Sequence, residues 1–307
     1  AANYFEVLSA RATLEQSISH RKVMETWLDY ADKSFKTGRG TRTDIEDARS
    51  RRDLAKAKET EARMSLSAAG ENFRVVTGLD AESIDDAAAL RLDEEGARLA
   101  GPREDWLLRV EETNPELKSL RKQLEAALLS VSQMRSGHLP TLDLVAAEQR
   151  GRSETHTTVG SQYTTDYVGI QLNIPLFAGG GTSAQTSQAR ARAERVRQTL
   201  ESARRKALAE TGRLLLAVDQ GIEHVQALRQ AVHSAEEATL GEKKGLQAGT
   251  RTLVDVLDAE RRLADARREH AVAMYTLANN RLKFLALSGG VDQESIGAIS
   301  GWLAAAR

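Results

Sequence analysis

From Thr182 to Gln247 the sequence keeps helical spacing without a single proline, and at about 1.5 Å per residue such a helix runs on the order of 100 Å. No compact globular core accommodates that length, so the helix has to lie beside other long helices. Its sequence indicates how. Ala189, Ala193, Val196, Leu200, Ala203 and Ala207 recur at alternating intervals of four and three, the spacing of a coiled-coil seam with mostly small knobs. Aromatic residues make up only 4% of the chain and prolines number four, which suits closely packed helices rather than a large aromatic core.

The rest of the chain offers partners for this helix. Residues 1 to about 37 are helical in pattern, and Ala1-Ala2-Asn3-Tyr4 is neither a signal peptide nor a helix cap, so it reads as the middle of a helix already under way. Thr37-Gly38-Arg39-Gly40 breaks this stretch, and a second one from about Thr43 to Val76 stops at Thr77-Gly78. Residues 79–114 are mixed and acidic, with Gly96, Gly101 and Pro102, and suit short helices and loops. Pro115 opens a helix to about Ser136, because proline is tolerated at the first helical position; Gly137 and Pro140 end it. After Gly249 a last helix covers about 252–287 with Leu263, Ala266, Ala273 and Leu277 on one stripe, and the tail beyond Gly290 is short and weakly amphipathic.

Between these helices the period changes to two. Leu142, Leu144 and Ala146 alternate with Asp143, Val145 and Ala147, and Val168, Ile170, Leu172, Ile174 and Leu176 alternate with Gly169, Gln171, Asn173 and Pro175. Each stretch has about the ten residues of a tilted strand crossing a bilayer, and the polar segment Arg150 to Asp166 is expected as an exposed loop. An ordinary soluble hairpin fits the same residues. Pro175 and the run Gly179, Gly180, Gly181 stand where strand must turn into helix, since proline limits ladder pairing and glycine permits the bend. Pro140 marks the corresponding transition on the other side of the strand pair.

A shift of 211 residues superposes two parts of the chain without gaps, placing Gly38 on Gly249, Asp44 on Asp255, Asp47 on Asp258, Ala48 on Ala259, Leu66 on Leu277, Phe73 on Phe284 and Gly78 on Gly289. The unit is helix, turn, helix, and its second copy follows a helix and two strands. By that symmetry the first copy is expected to own a matching strand pair, which would lie ahead of Ala1.

Composition excludes several function classes. With 43 basic and 44 acidic side chains, the chain gives no electrostatic reason to bind nucleic acid. Without cysteine it has no disulfide or thiolate metal site. One of the longest apolar runs, Leu214 to Val218, is far short of the roughly 20 residues of a spanning helix, so any membrane crossing is by strands. The six histidines (His20, His138, His156, His224, His233 and His270) show no ligand spacing, the glycine run lacks the Lys-Ser/Thr of a phosphate loop, and no nucleophile and base stand together. No enzyme activity, metal or cofactor is expected.

Three segments carry a resemblance. Gly249-Thr-Arg-Thr-Leu-Val-Asp-Val-Leu-Asp-Ala259, Gly137-His-Leu-Pro-Thr-Leu-Asp-Leu144 and Leu172-Asn-Ile-Pro-Leu-Phe-Ala-Gly-Gly180 resemble the TolC family of outer-membrane channels, in the family's order and spacing, and the similarity covers essentially the whole chain. The resemblance implies a mainly α chain with a β-strand pair: a long coiled-coil barrel, with strands that contribute to a trimeric transmembrane β-barrel of twelve strands. The segments would then be a first-repeat helix pair (1–78), an equatorial segment (79–114), a second-repeat helix (115–137), the strand pair (138–177), a second-repeat helix pair (178–289) and an equatorial tail (290–307). The implied function is an outer-membrane exit duct for type I secretion or multidrug efflux in a Gram-negative cell. Its partners would be two further copies in a homotrimer, a periplasmic adaptor, an inner-membrane ABC or RND-type pump, outer-membrane lipid, and protein or small-molecule cargo. The family's first helix and first strand pair have no counterpart in the sequence. A soluble coiled-coil scaffold with an unrelated hairpin is the alternative.

Four charged residues are candidates for the site. Asp255 and Asp258, three apart, project from one helix face; Thr252-Leu-Val-Asp255 also fits a capping box, as does Thr41-Arg-Thr-Asp44. The resemblance implies that Asp255 and Asp258 line the tunnel tip, where three-fold symmetry would gather an acidic, cation-attracting ring. It further implies that Arg251 and Asp44 pair between neighbouring coiled coils and latch the tip. From the residues alone Arg251 is a solvated charge. The family's latch also uses a tyrosine where this chain has Leu246.

Overall fold

The computed structural model describes residues 2–38, 40–84, 98–99, 101–155 and 158–290. Arg39, Gly96, His156 and the tail 291–307 lie outside the described residues. The chain is mainly helical, with one antiparallel strand pair: α1 Ala2–Lys36, α2 Arg42–Thr77, a single 3-10 turn Ala81–Ser83, α3 Arg103–Thr113, α4 Pro115–Ser136, β1 Thr141–Thr155, β2 Thr158–Asn173, α5 Gly181–Gln247 and α6 Leu253–Leu287. It forms two compact units, one of Ala1–Asn114 with Ala207–Arg307 and one of Pro115–Lys206. The 67 residues of α5 run from one into the other.

In the larger unit the internal repeat is a repeat of structure. α1 ends at Lys36 and α5 at Gln247, α2 begins at Arg42 and α6 at Leu253, so these boundaries are 211 residues apart like the sequence identities. Gly38 and Gly249 turn the chain at φ 75° and 74°, and Gly78 and Gly289 follow the second helix of each pair at 72° and 67°. Only glycine adopts this left-handed backbone without strain.

The packing of α1 on α2 follows from a strict seven-residue repeat. Ala48, Ala55, Ala62 and Ala69 are each at most 5% exposed, and a period of seven keeps one seam facing a partner helix under a left-handed supercoil. Polar ties accompany the seam at three levels: Asn3 Nδ2 donates to the Asn72 carbonyl at 3.1 Å, Arg21 pairs with the nearly buried Glu59, and the Arg51 guanidinium lies 4.6 Å from the Trp27 ring centre. The Arg21 hydrogen bond holds the Glu59 carboxyl below its ordinary value of 4.5. That tie is therefore present at neutral pH and is lost as pH falls through the lowered value. Leucine in place of Ala55 should cost about 1–3 kcal/mol by overpacking the seam, while Ala57→Leu on the exposed side of the same helix should stay within about 0.5 kcal/mol. Denaturant unfolding followed by circular dichroism compares the two, and equal midpoints would remove the seam.

Larger side chains fill the core near the open ends of the helix pairs. Phe5 and Leu8 of α1, Phe73 of α2, Val218, Ile222 and Val225 of α5, and Met274 and Leu277 of α6 form one buried cluster. Trp106 of α3 meets Phe284 edge-on at 4.9 Å. Side chains at the end of α3 close α6: Asn114 Nδ2 donates to the Leu287 carbonyl at 2.9 Å and Thr113 Oγ1 to that of Ser288 at 2.6 Å. Between α5 and α6, Arg267 pairs with Glu236 at 2.7 Å and Lys243 with Glu260 at 3.0 Å.

In the smaller unit the strand pair is longer than the sequence indicates. The expected loop Arg150 to Asp166 is largely strand: pairing runs from Thr141↔Asn173 past Arg150↔Thr164 to Ser153↔Ser161 and, after an irregularity, Thr155↔Thr158. Apolar alternation fades after Ala146, but a ladder is held by its backbone, and Thr164, Thr165, Tyr163 and Tyr167 are good strand formers. Tyr163 lies across Gly151, where a Cβ would come within 2.3 Å of the ring. Ile174 and Leu176, expected to continue the alternation, lie beyond the end of β2. Pro140 precedes β1 and Pro175 follows β2, and Gly179 and Gly180 take φ 58° and 81° just before α5. A Cβ at Gly137 would lie 3.1 Å from Thr182 Cγ2, so the end of α4 meets the start of α5 beneath the hairpin.

Candidate functional site

Two features are unusual in a chain of this composition: the tips of the two helix hairpins and the outer face of the strand pair. At each tip the turn is built the same way. The Gly40 amide donates to the Ser34 carbonyl at 3.1 Å, and the Arg251 amide to that of Gly245 at 3.2 Å. Both following helices open with a complete capping box. Thr41 and Asp44 exchange hydrogen bonds of 3.2 and 2.8 Å, and Thr252 and Asp255 exchange bonds of 3.3 and 2.8 Å. These bonds satisfy amides that a helix start leaves unpaired.

Both capping carboxylates are held below their ordinary value of 3.8, first by the backbone N–H of the cap threonine and then by its hydroxyl; Arg251 adds to the effect on Asp255. Asp44 and Asp255 are thus anionic at neutral pH. Arg251 and Asp44, expected as a latch, make no ion pair with one another within the chain; Arg251 Nε stands 3.3 Å from Glu242 Oε2 instead. Asp258, one turn beyond Asp255, lies 3.8 Å from Arg261. It borders a cavity of about 510 Å³ between α1, α2 and α6 that also takes in Trp27, Arg51 and its repeat counterpart Asp47. His20 lines the same cavity, where burial first of all lowers its pKa, Lys58 and Arg261 adding to the shift and Asp265 opposing it. The sequence reading missed Glu242. Nine positions separate it from Arg251 across a turn, and no helical spacing relates residues on either side of one.

On the strand pair, register sorts the side chains onto two faces. Leu142 pairs with Leu172, Leu144 with Ile170 and Ala146 with Val168, so these six share one face, and the five larger ones are between 60% and 77% exposed. The next pairs on that face, Glu148 with Asp166 and Arg150 with Thr164, are polar. The other face carries Asp143 with Gln171 and Ala147 with Tyr167. At about 3.3 Å per residue the 15 residues of β1 span about 50 Å, more than a bilayer needs, and the apolar rungs occupy only the half next to the helices. Among the described residues no helix is long and apolar enough to cross a membrane.

A profile of the outer membrane efflux protein family matches residues 106–290. The chain is 30% identical over 310 residues to outer membrane protein TolC of Escherichia coli K12, across 98% of this chain and 62% of that protein. It is 31% identical over 295 residues to the alkaline protease secretion protein AprF of Pseudomonas aeruginosa, across 95% of this chain and 61% of that one. The chain thus spans about three fifths of the length of these two relatives. The Campylobacter jejuni CmeC outer membrane channel superposes with a TM-score of 0.74 at 15% identity, over 99% of this chain and 66% of that one, which speaks for the fold. The family is named for efflux and AprF for secretion. With the repeat, the three motifs and the fold in agreement, the chain belongs to the outer membrane efflux protein family, the TolC family that its motifs resemble.

Proposed function

We propose that the full protein is a passive exit duct in the outer membrane of a Gram-negative bacterium, open to cargo from a tripartite export system and gated at the tips of its helix hairpins. The observation that carries this reading is the pair of strands with a bare apolar face beside coiled-coil helices. Two strands cannot close a barrel, and an unpaired edge is not tolerated in lipid. The reading therefore includes a homotrimer in which further strands complete the sheet, a periplasmic adaptor, and an inner-membrane ABC or RND-type pump. Relatives named for protease secretion favour an exported protein among the cargoes. The exposed apolar rungs and the family weigh against a soluble scaffold with an unrelated hairpin.

In this duct Asp255 and Asp258 form the acidic lining of the narrowest opening, and Arg251 and Asp44 act at the gate between neighbouring hairpins. The domain roles follow: hairpins as tunnel wall, residues 79–114 and 290–307 as the equatorial belt, and 138–177 as the bilayer segment. Pro140, Pro175, Gly179 and Gly180 turn the chain from barrel to tunnel. The full-length protein should be extracted only with detergent, run as a trimer, and open ion channels in planar bilayers. A monomer that is freely soluble without detergent would overturn the proposal.

A further inference from the structure

Arg251 lies over a gap that only a glycine leaves. A Cβ at Gly245 would come 2.5 Å from Arg251 Cγ and 3.2 Å from its Cβ, so the arginine stem rests on the bare backbone of the last turn of α5. From there Nε reaches Glu242 Oε2 at 3.3 Å. That oxygen is buried and accepts no hydrogen bond among the described residues, so the separation is that of an ion pair without hydrogen-bond alignment. A carboxylate oxygen withdrawn from water without a donor is unfavourable unless a cation stands beside it. Arg251 is that cation.

The first hairpin shows what the trio is not for. Its matching positions are Ala31, Ser34 and Gly40, yet its turn carries the same backbone hydrogen bond and the same capping box. The turn thus forms without an acid, a glycine gap and an arginine, and their presence in the second hairpin alone points to a task at that tip. Leu246, next to the gap, carries no hydrogen-bonding side chain that could share it.

We propose that Glu242 is a positioning residue of the tip: with Gly245 it holds Arg251 back along its own hairpin, and this brace keeps the second hairpin in its closed form. The closing role rests on the gate reading above; the brace itself does not. Full-length protein in planar bilayers tests the first and amide hydrogen exchange the second. Glu242→Gln, Gly245→Ala and Arg251→Ser should each raise single-channel conductance several-fold, and Glu242→Gln with Arg251→Ser should conduct no more than Arg251→Ser alone. Exchanging the charges, Glu242→Arg with Arg251→Glu, should bring conductance back toward wild type, which loss of mere packing would not do. The amides of Thr250 and Arg251 should exchange faster in Glu242→Gln and Gly245→Ala. Unchanged exchange overturns the brace whatever the conductance, and so do additive conductance gains or a lower conductance in Glu242→Gln. Faster exchange with wild-type conductance in both Arg251→Ser and Asp44→Ala overturns the closing role together with the gate reading, leaving a structural tie.

Discussion

Arginine at Ile170 is expected to abolish assembly in the outer membrane, whereas arginine at the adjacent Gln171 is expected to be tolerated. Ile170 pairs with Leu144 in the middle of the apolar rungs and is 75% exposed; Gln171, paired with Asp143, lies on the other face. A lipid-facing arginine near the bilayer midplane costs about 2–4 kcal/mol, and a homotrimer would incur that cost in all three copies. On the lumen side the same side chain meets water. Were the hairpin a soluble element, Ile170→Arg would relieve an exposed apolar patch and change stability by no more than about 0.5 kcal/mol. Outer-membrane fractionation and trimer content on unheated gels decide between them. Equal assembly of the two variants would sink the membrane assignment of this strand pair.

The helices were legible because each end carries its own signal. Gly38 and Gly249 stop α1 and α5, Thr41 and Thr252 start α2 and α6, and the 211-residue shift makes each copy a check on the other. The strand ends were not legible in the same way. Period-two hydrophobicity reports the environment of a strand rather than its pairing, so it faded at Ala147 while the ladder continued through Arg150 and Gly151 to Thr155. The same distinction accounts for Ile174 and Leu176, which alternate correctly and yet lie outside β2.

At the hairpin tip the sequence yields the capping boxes and the acid pair, since both are defined by intervals of three on one helix. It does not yield the partner of Arg251. Glu242 and Gly245 belong to the preceding helix, and only the turn at Gly249 brings them under the arginine. Capping a helix and lining the proposed opening are not competing roles for Asp255. The bonds from Thr252 that cap α6 also keep this carboxylate ionised at the pH where a pore would operate, so its structural role prepares the charge that the proposed opening uses.

Charge removal at the tip without loss of the caps should then convert a cation-selective pore into one with little preference. Asp255→Asn with Asp258→Asn keeps an acceptor oxygen for the Thr252 amide, which Asp255 now engages at 2.8 Å, so helix stability should change little. In the assembled ring two influences on Asp255 oppose each other. The cap lowers its pKa, and close copies of the same charge raise it, the sites then titrating as a coupled set. Cation preference should therefore be full at neutral pH and weaken as acidification protonates the set. Under a tenfold salt gradient a perfectly cation-selective pore approaches about 59 mV, the limit for one permeant charge. The wild-type reversal potential should be a large fraction of that, and the double variant should fall close to zero and lose block by multivalent cations applied from the periplasmic side. Unaltered selectivity and block in a correctly assembled double variant would falsify the ring and leave Asp255 a cap alone, with Asp258 a surface acid beside Arg261.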